Sequence, residues 1–358
     1  EIGVRLVGSE MCIRDRFFVV YKKFSGVWIM AYIDSNLNDA SLWFRVKTYE
    51  GNSSNDHAIT WDETHANMQP DLLWFKSRDN AQSHALWDSV RGASLRLIPN
   101  SSGGEGTEAT NLDSFDSNGF QVDNEAIVNH DSMVAWGWKE SATAGFDIVS
   151  YTGNGSNRTI SHSLSATPDL VITKRRDTTG DWMIGGSTTL GGDNKLLLLN
   201  TTAALDDNSE VYQSFSSSTF GIGVNAYINT NTSTYISYLF SGKQGWSKFS
   251  NYVGNGNADG AFVYTGFRPA MVIIKRSSDT EYWGILDNKR NTYNPANLYL
   301  APNRSDADTT YTVLDFTANG FKHRSTGSMF NTSGSTYIYA AFAEAPFVNS
   351  NGVPCNAR

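Results

Sequence analysis

Two short patterns in this 358-residue sequence set an acid and a base three residues apart close behind a tryptophan: Trp87, Asp88 and Arg91, then Trp283, Asp287 and Arg290. A carboxylate and a guanidinium held together can grip a polar ligand through charge-assisted hydrogen bonds. An indole face can pack on the apolar face of a sugar. These six residues are therefore the candidate ligand-binding set. The same spacing also suits a turn lock, in which the acid and base hold only each other, and a tryptophan that occurs once per repeat is commonly a core anchor. A third tryptophan, Trp182, recurs without the Asp and Arg, so the pair is not needed in every copy.

Other chemistry-bearing residues are thinner. His57 and His65 share a polar stretch with Asp56, Asp62 and Glu63, a set that could hold a metal or exchange a proton. The remaining histidines (His84, His130, His162 and His323) are scattered without ligand spacing. Asp113, Asp116 and Asn118, and again Asp206, Asp207 and Asn208, offer oxygen ligands for calcium or paired acids for glycoside hydrolysis. Neither set follows an EF-hand loop, and both fit solvated turns. No nucleophile elbow and no phosphate loop is present, and Gly153-Asn154-Gly155 has no following helix to aim a dipole at a phosphate. The expectation is a protein with no catalytic residue, no metal and no cofactor.

The net charge of −8 argues against a nucleic-acid partner or an anionic membrane. Lys174-Arg175-Arg176 is a local exception that reads as a solvated strand end. Two cysteines, Cys12 and Cys355, build no disulfide framework, and no apolar run reaches the ~18 residues of a membrane span. Aromatics at 13 % and charged residues at 18 % favour strands.

The positioning elements come in triplicate. A Y-x-G-N signature stands at Tyr49, Tyr151 and Tyr252, and a proline-led strand at Pro70, Pro168 and Pro269. Next come the three tryptophans, then Gly119-Phe120, Phe220-Gly221 and Gly320-Phe321. Each copy closes on an aromatic run from Met133, Thr234 or Thr336. Landmarks in one order three times mark tandem duplication. Period-two alternation and Asn-Gly turns predict about seven short strands per copy, the pattern of a β-sandwich. The predicted fold is all-β, with three tandem jelly-roll-like sandwich domains at 46–141, 142–243 and 244–347. Short linkers near Ser141–Gly145 and Ser241–Gly245 predict stacked units. Residues 1–16 resemble translated adapter sequence and are expected to be non-native. Residues 17–45 are then a remnant of a preceding element, and 348–358 a tail.

The join WGWKESATAGFDIVSYTGNGSNRTISHSL, the strand PDLVITKRR, the stretch WDSVRG and the ending YIYAAFAEAPFVNSNGVPCNAR resemble repeats in large structural proteins of marine tailed phages, of the tail-fibre or tail-tip kind. The resemblance spans about 300 residues. It implies a virion location in the tail, with other tail proteins and a host-surface glycan or receptor as partners. A homotrimer fits a fibre part. Two alternatives accompany this reading: a spacer or decoration module that binds nothing, and a polysaccharide-degrading enzyme. The variable loops Asp56–Asn67, Ser101–Thr110 and Thr201–Ser209 are where a specific function is expected.

Overall fold

The structure, a computed structural model, describes residues 20–24, 27–31, 39–63, 66–343, 347–348 and 354–355. Within them the chain is all-β, built of antiparallel sheets, with only single-turn helices between strands. One strand order recurs three times. In the first unit the strands Phe44–Glu50, Ser132–Trp138, Leu72–Ser77 and Ala85–Asp88 lie side by side. In the second the order is Phe146–Thr152, Thr234–Phe240, Leu170–Arg175 and Met183–Gly185. In the third it is Ser247–Val253, Thr336–Ala343, Pro269–Arg276 and Trp283–Asp287. A smaller sheet packs on each: His57–Thr60 with Gly119–Val122 and Leu112–Asp116, and its counterparts around Thr219–Ile222 and Gly320–His323.

The Y-x-G-N signature has a physical basis in all three units. Tyr49, Tyr151 and Tyr252 donate their hydroxyls to the carbonyls of Val128, Ile228 and Phe330. The glycine that follows lies against the backbone of the same short helix. A Cβ on Gly51, Gly153 or Gly254 would sit 2.2–2.3 Å from that backbone, so no other residue fits. The next amide, of Asn52, Asn154 or Asn255, is taken at 2.9 Å by the buried amide oxygen of Asn129, Asn229 or Asn331.

Alternation along each strand creates two apolar faces on the larger sheet. One face meets the smaller sheet: Leu73, Phe75, Trp87, Met133 and Ala135 pack with Ile59, Phe120 and Val122 in the first unit. The other face, which carries Leu72, Trp74, Val134, Trp136 and Trp138, joins a second core shared by all three units. Trp138, Phe240 and Phe342 occupy equivalent positions near the ends of three equivalent strands. They meet pairwise, with ring centroids 6.4, 5.5 and 5.7 Å apart. The three larger sheets thus surround one pseudo-threefold axis, and each unit touches both others. Larger sheets with two apolar faces are what produce the near-continuous apolar runs LLWF and MVII.

Candidate functional site

The six residues singled out by the sequence are all buried, at 0–7 % exposure. The Asp–Arg pairs are locks between units. Asp88 accepts the Arg91 amide at 2.9 Å and its Nε at 2.6 Å, and takes the hydroxyl of Tyr238, from the second unit, at 2.6 Å. Arg91 also reaches Glu105 at 3.1 Å, and Glu105 pairs with Arg176 of the second unit at 2.9 Å. The third unit grips the first in the same way. Asp287 holds Arg290 at 2.7 Å and accepts from Trp136 Nε1 at 3.1 Å, while Asp308 bridges Arg290 at 2.6 Å and Arg78 at 2.9 Å. Burial alone would lower the affinity of Arg91 and Arg290 for their protons, but the neighbouring Tyr238 and Asp88, and Asp287 and Asp308, raise it above the ordinary value. Burial pushes Glu105 up and its two arginines pull it further down, so it stays ionised. These side chains are spent on one another and present no face to a ligand.

The three tryptophans are not equivalent. Strand register pairs Lys275 with Trp283, and carrying the other two registers on by one residue sets Trp182 against Lys174 and His84 against Lys76. Trp182 donates to the carbonyls of Ile98 and Ser101 at 3.1 Å, and Trp283 to that of Leu198 at 3.0 Å. His84 makes the corresponding contact with Ala301 at 3.0 Å; its Nδ1 accepts from Trp74, so Nε2 carries the proton. Each is a peg set into the preceding unit. Trp87 lies three residues further on, in the core between the two sheets of the first unit. Its place in the second unit is Gly185, because the Tyr212 ring fills that space: an added Cβ would stand 2.4 Å from it. The unequal W-to-D spacings in the sequence were the available sign.

Two of the loops expected to carry function are arms that reach the next unit. Glu105, Leu205 and Asp308 donate their amides to Arg176, Ser277 and Arg78 of the next unit at 2.7–2.9 Å. The third, around Asp62, carries an ion cluster in which Asp62 bridges Lys47 and Lys289, again across units. His57 bonds Asn129 at 2.8 Å, and His65 lies outside the described residues. Asn118 is taken by Arg45 at 3.1 Å and Asp207 by Lys195 at 2.8 Å. Among the described residues no three His, Cys, Asp or Glu side chains gather as a metal site. Glu140 is pushed up to about 7 by burial and by a hydrogen bond with Asp147, but Asp147 is buried at the join between the first two units. That pair does not flank a groove.

The outer face of the third unit's smaller sheet is different. Of the six exposed aromatics among the described residues, five (Phe262, Tyr264, Tyr282, Tyr293 and Tyr311) belong to the third unit. The strand Phe262–Tyr264 alternates outward ring, buried Val263, outward ring. Equivalent outward positions are Ala58 and Thr60 in the first unit and Thr159 and Ser161 in the second, so the fold itself does not require the rings. Across the sheet Phe262 faces Lys322, which faces Asp315, and Tyr264 faces Gly320 and then Thr317. Asp259 pairs with Lys322 at 2.7 Å and Arg324 at 3.3 Å, and Arg324 pairs with Asp315 at 2.6 Å. Lys248 donates to the Tyr264 carbonyl at 2.8 Å and sits 5.2 Å from its ring centroid. Beneath this face, His323 fills the place of Val122 and Ile222. Burial holds it down at about 3, so the ring is neutral. The signal in the sequence was the aromatic pair in FVY, where the other copies have AIT and TIS.

No curated protein matches the chain. Residues 39–346 match the family model described as a domain of unknown function, DUF7483, and the chain belongs to that family.

Proposed function

We propose that the chain is a virion structural protein of the tail-fibre or tail-tip kind, in which three jelly-roll-like sandwich domains fused into one rigid ring present a glycan-contacting face to the host surface. The observation that carries the reading is the concentration of exposed aromatics on one of the three units. The shared core and the locks between units supply stiffness, and the resemblance of the repeats to tail structural proteins supplies the setting. A homotrimer is not needed to close a threefold arrangement that one chain already builds. The ring would dock on other tail proteins and leave the third unit outward.

Incubating the purified chain with whole host cells and with isolated envelope polysaccharide tests the reading. Retention on both is the expected result. No retention on either, even with the chain multimerised on beads to gain avidity, would leave the spacer role. Loss of polysaccharide viscosity would point to the degrading enzyme instead.

A further inference from the structure

From the Phe262–Tyr264 face we infer that this surface is a binding site for neutral pyranose units of a glycan; the inference rests on the attachment reading above. The ligand class follows from what the face offers. Two rings, 49 % and 58 % exposed, project from one short strand that is paired to the rigid centre of the sheet. Their positions are set before any ligand arrives, and little ordering entropy is lost on binding. Gly320 stands beside Tyr264 in the register, and the tip of the Phe262 ring lies against it, 3.2 Å from where a Cβ would stand, so the two rings flank bare backbone.

The rings do not form a continuous apolar patch. Lys322, Asp315 and Thr317 interleave with them, so the surface alternates apolar and hydrogen-bonding ground. That mosaic suits a pyranose, which has C–H faces and a rim of hydroxyls. It suits a protein partner poorly, because a docking face of that kind buries a contiguous apolar core.

Neutral rather than acidic sugar follows from the charge pairing. Lys322 and Arg324 are already matched by Asp259 and Asp315, and Lys248 is held by the Tyr264 carbonyl. A carboxylate or sulfate on the sugar would meet no free cation and would lie near Asp259, which is 75 % exposed. Hydroxyls, by contrast, can accept from the cations and donate to the remaining carboxylate lone pairs.

The test measures equilibrium binding of the full chain to maltohexaose, cellohexaose, laminarihexaose and a galactan hexamer, with alginate and polygalacturonate hexamers as charged counterparts. At least one neutral hexamer is expected to bind, with Tyr264→Ala and Phe262→Ala each weakening it about tenfold or more and Tyr227→Ala, on the second unit, leaving it unchanged. All three positions are exposed, and circular dichroism confirms that the variants fold. Preference for the charged hexamers overturns the inference. So does wild-type affinity in Tyr264→Ala and Phe262→Ala, or a protein ligand lost in both. If the chain is retained on host cells but the variants are retained equally, the site is wrong and the attachment reading stands. If nothing binds and cells do not retain the chain, both fall.

Discussion

Two seams of the ring are ionic and the third is not, although the same sheets and arms build all three. Where the first unit meets the second, and the third meets the first, an Asp–Arg pair, an arm carboxylate, a receiving arginine and an aromatic donor interlock. Between the second and third units every member is replaced. Gly186 stands for the aspartate, Thr189 for the arginine, Leu205 for the arm carboxylate, Ser277 for the receiving arginine and Ala340 for the aromatic donor. The short helix Ser187–Leu190 packs instead on the strands Ser247–Val253 and Thr336–Ala343, with Leu190 and Leu199 buried. The five positions behave as one device, present complete or absent altogether. A half-built latch would strand a buried charge, whereas an apolar replacement of the whole is close to neutral in energy. The missing Asp cannot be restored alone: Gly186 has φ +143°, and a Cβ there would lie 2.0 Å from the Asp169 carbonyl oxygen.

The largest effect tests whether the latches act as matched sets. Asp88→Ala or Asp287→Ala leaves Arg91 or Arg290 buried without its principal partner and strips Tyr238 or Trp136 of its acceptor. Each substitution is expected to cost about 3–5 kcal/mol in a denaturant titration. A cost below about 1 kcal/mol in both would mean that all three seams close by apolar contact alone. Replacing the whole first-unit–second-unit set by the residues that stand in its place at the unlatched seam should cost less than Asp88→Ala by itself.

The next effect separates what the seams share from what they do not. Lys76, Lys174 and Lys275 occupy equivalent positions at 0 % exposure, their ammonium groups capped by backbone carbonyls: Asn80 O for Lys76, Ser102 O of the first-unit arm for Lys174 and Thr202 O of the second-unit arm for Lys275. Burial lowers each from 10.5 to about 8. Below about 8 both folded and unfolded chains carry these protons, and the folded state bears the full desolvation cost. Between about 8 and 10.5 the unfolded chain binds more protons, so stability must rise with pH, by up to about 1.4 kcal/mol per pH unit for each lysine. Denaturation midpoints taken from pH 7 to pH 10 read this directly. Lys174→Met and Lys275→Met should each remove an equal share of the rise, although only the first lies at a latched seam. Unequal shares would show that the latch sets the lysine's environment, and a fall in stability across the window would show that the ammonium groups are better solvated than their burial implies.

The repeat, the strand pattern and the signature turns were legible in the sequence because each depends on local chemistry: a tyrosine hydroxyl, a glycine pressed against backbone, a period of two. The shared core was half legible. LLWF and MVII announce strands covered on both faces, but a sequence does not say that the second cover is another copy of the same sheet. The Asp–Arg pairs were visible as pairs and hidden as latches, since their third partners, Tyr238 and Trp136, lie 150 and 151 residues away in sequence. Residue type and approximate spacing after the proline-led strand group Trp87 with Trp182 and Trp283; strand register puts His84 in the equivalent place. The exposed pair Phe262 and Tyr264 is not legible, because in sequence they look like any strand aromatics until their exposure is known.

The smallest effect sharpens the account of the unlatched seam. Thr189 sits where the other units have arginine, 1 % exposed, and its Oγ1 has no hydrogen-bond partner. It lines an apolar cavity of about 20 Å³ with Leu199, Trp283, Tyr339 and Ala340, next to a second of about 30 Å³ on the axis. A buried hydroxyl that bonds to nothing costs about 1–3 kcal/mol. Thr189→Val keeps the shape and removes that cost, so the variant is expected to be about 1 kcal/mol more stable than the parent by denaturant titration. In the latched seams the same logic runs the other way, because Arg91 and Arg290 are fully engaged and an aliphatic replacement leaves a carboxylate behind. If Thr189→Val is destabilising instead, the hydroxyl has a partner in solution, a bound water being the one that fits the volume, and the third seam is closed by a polar contact after all.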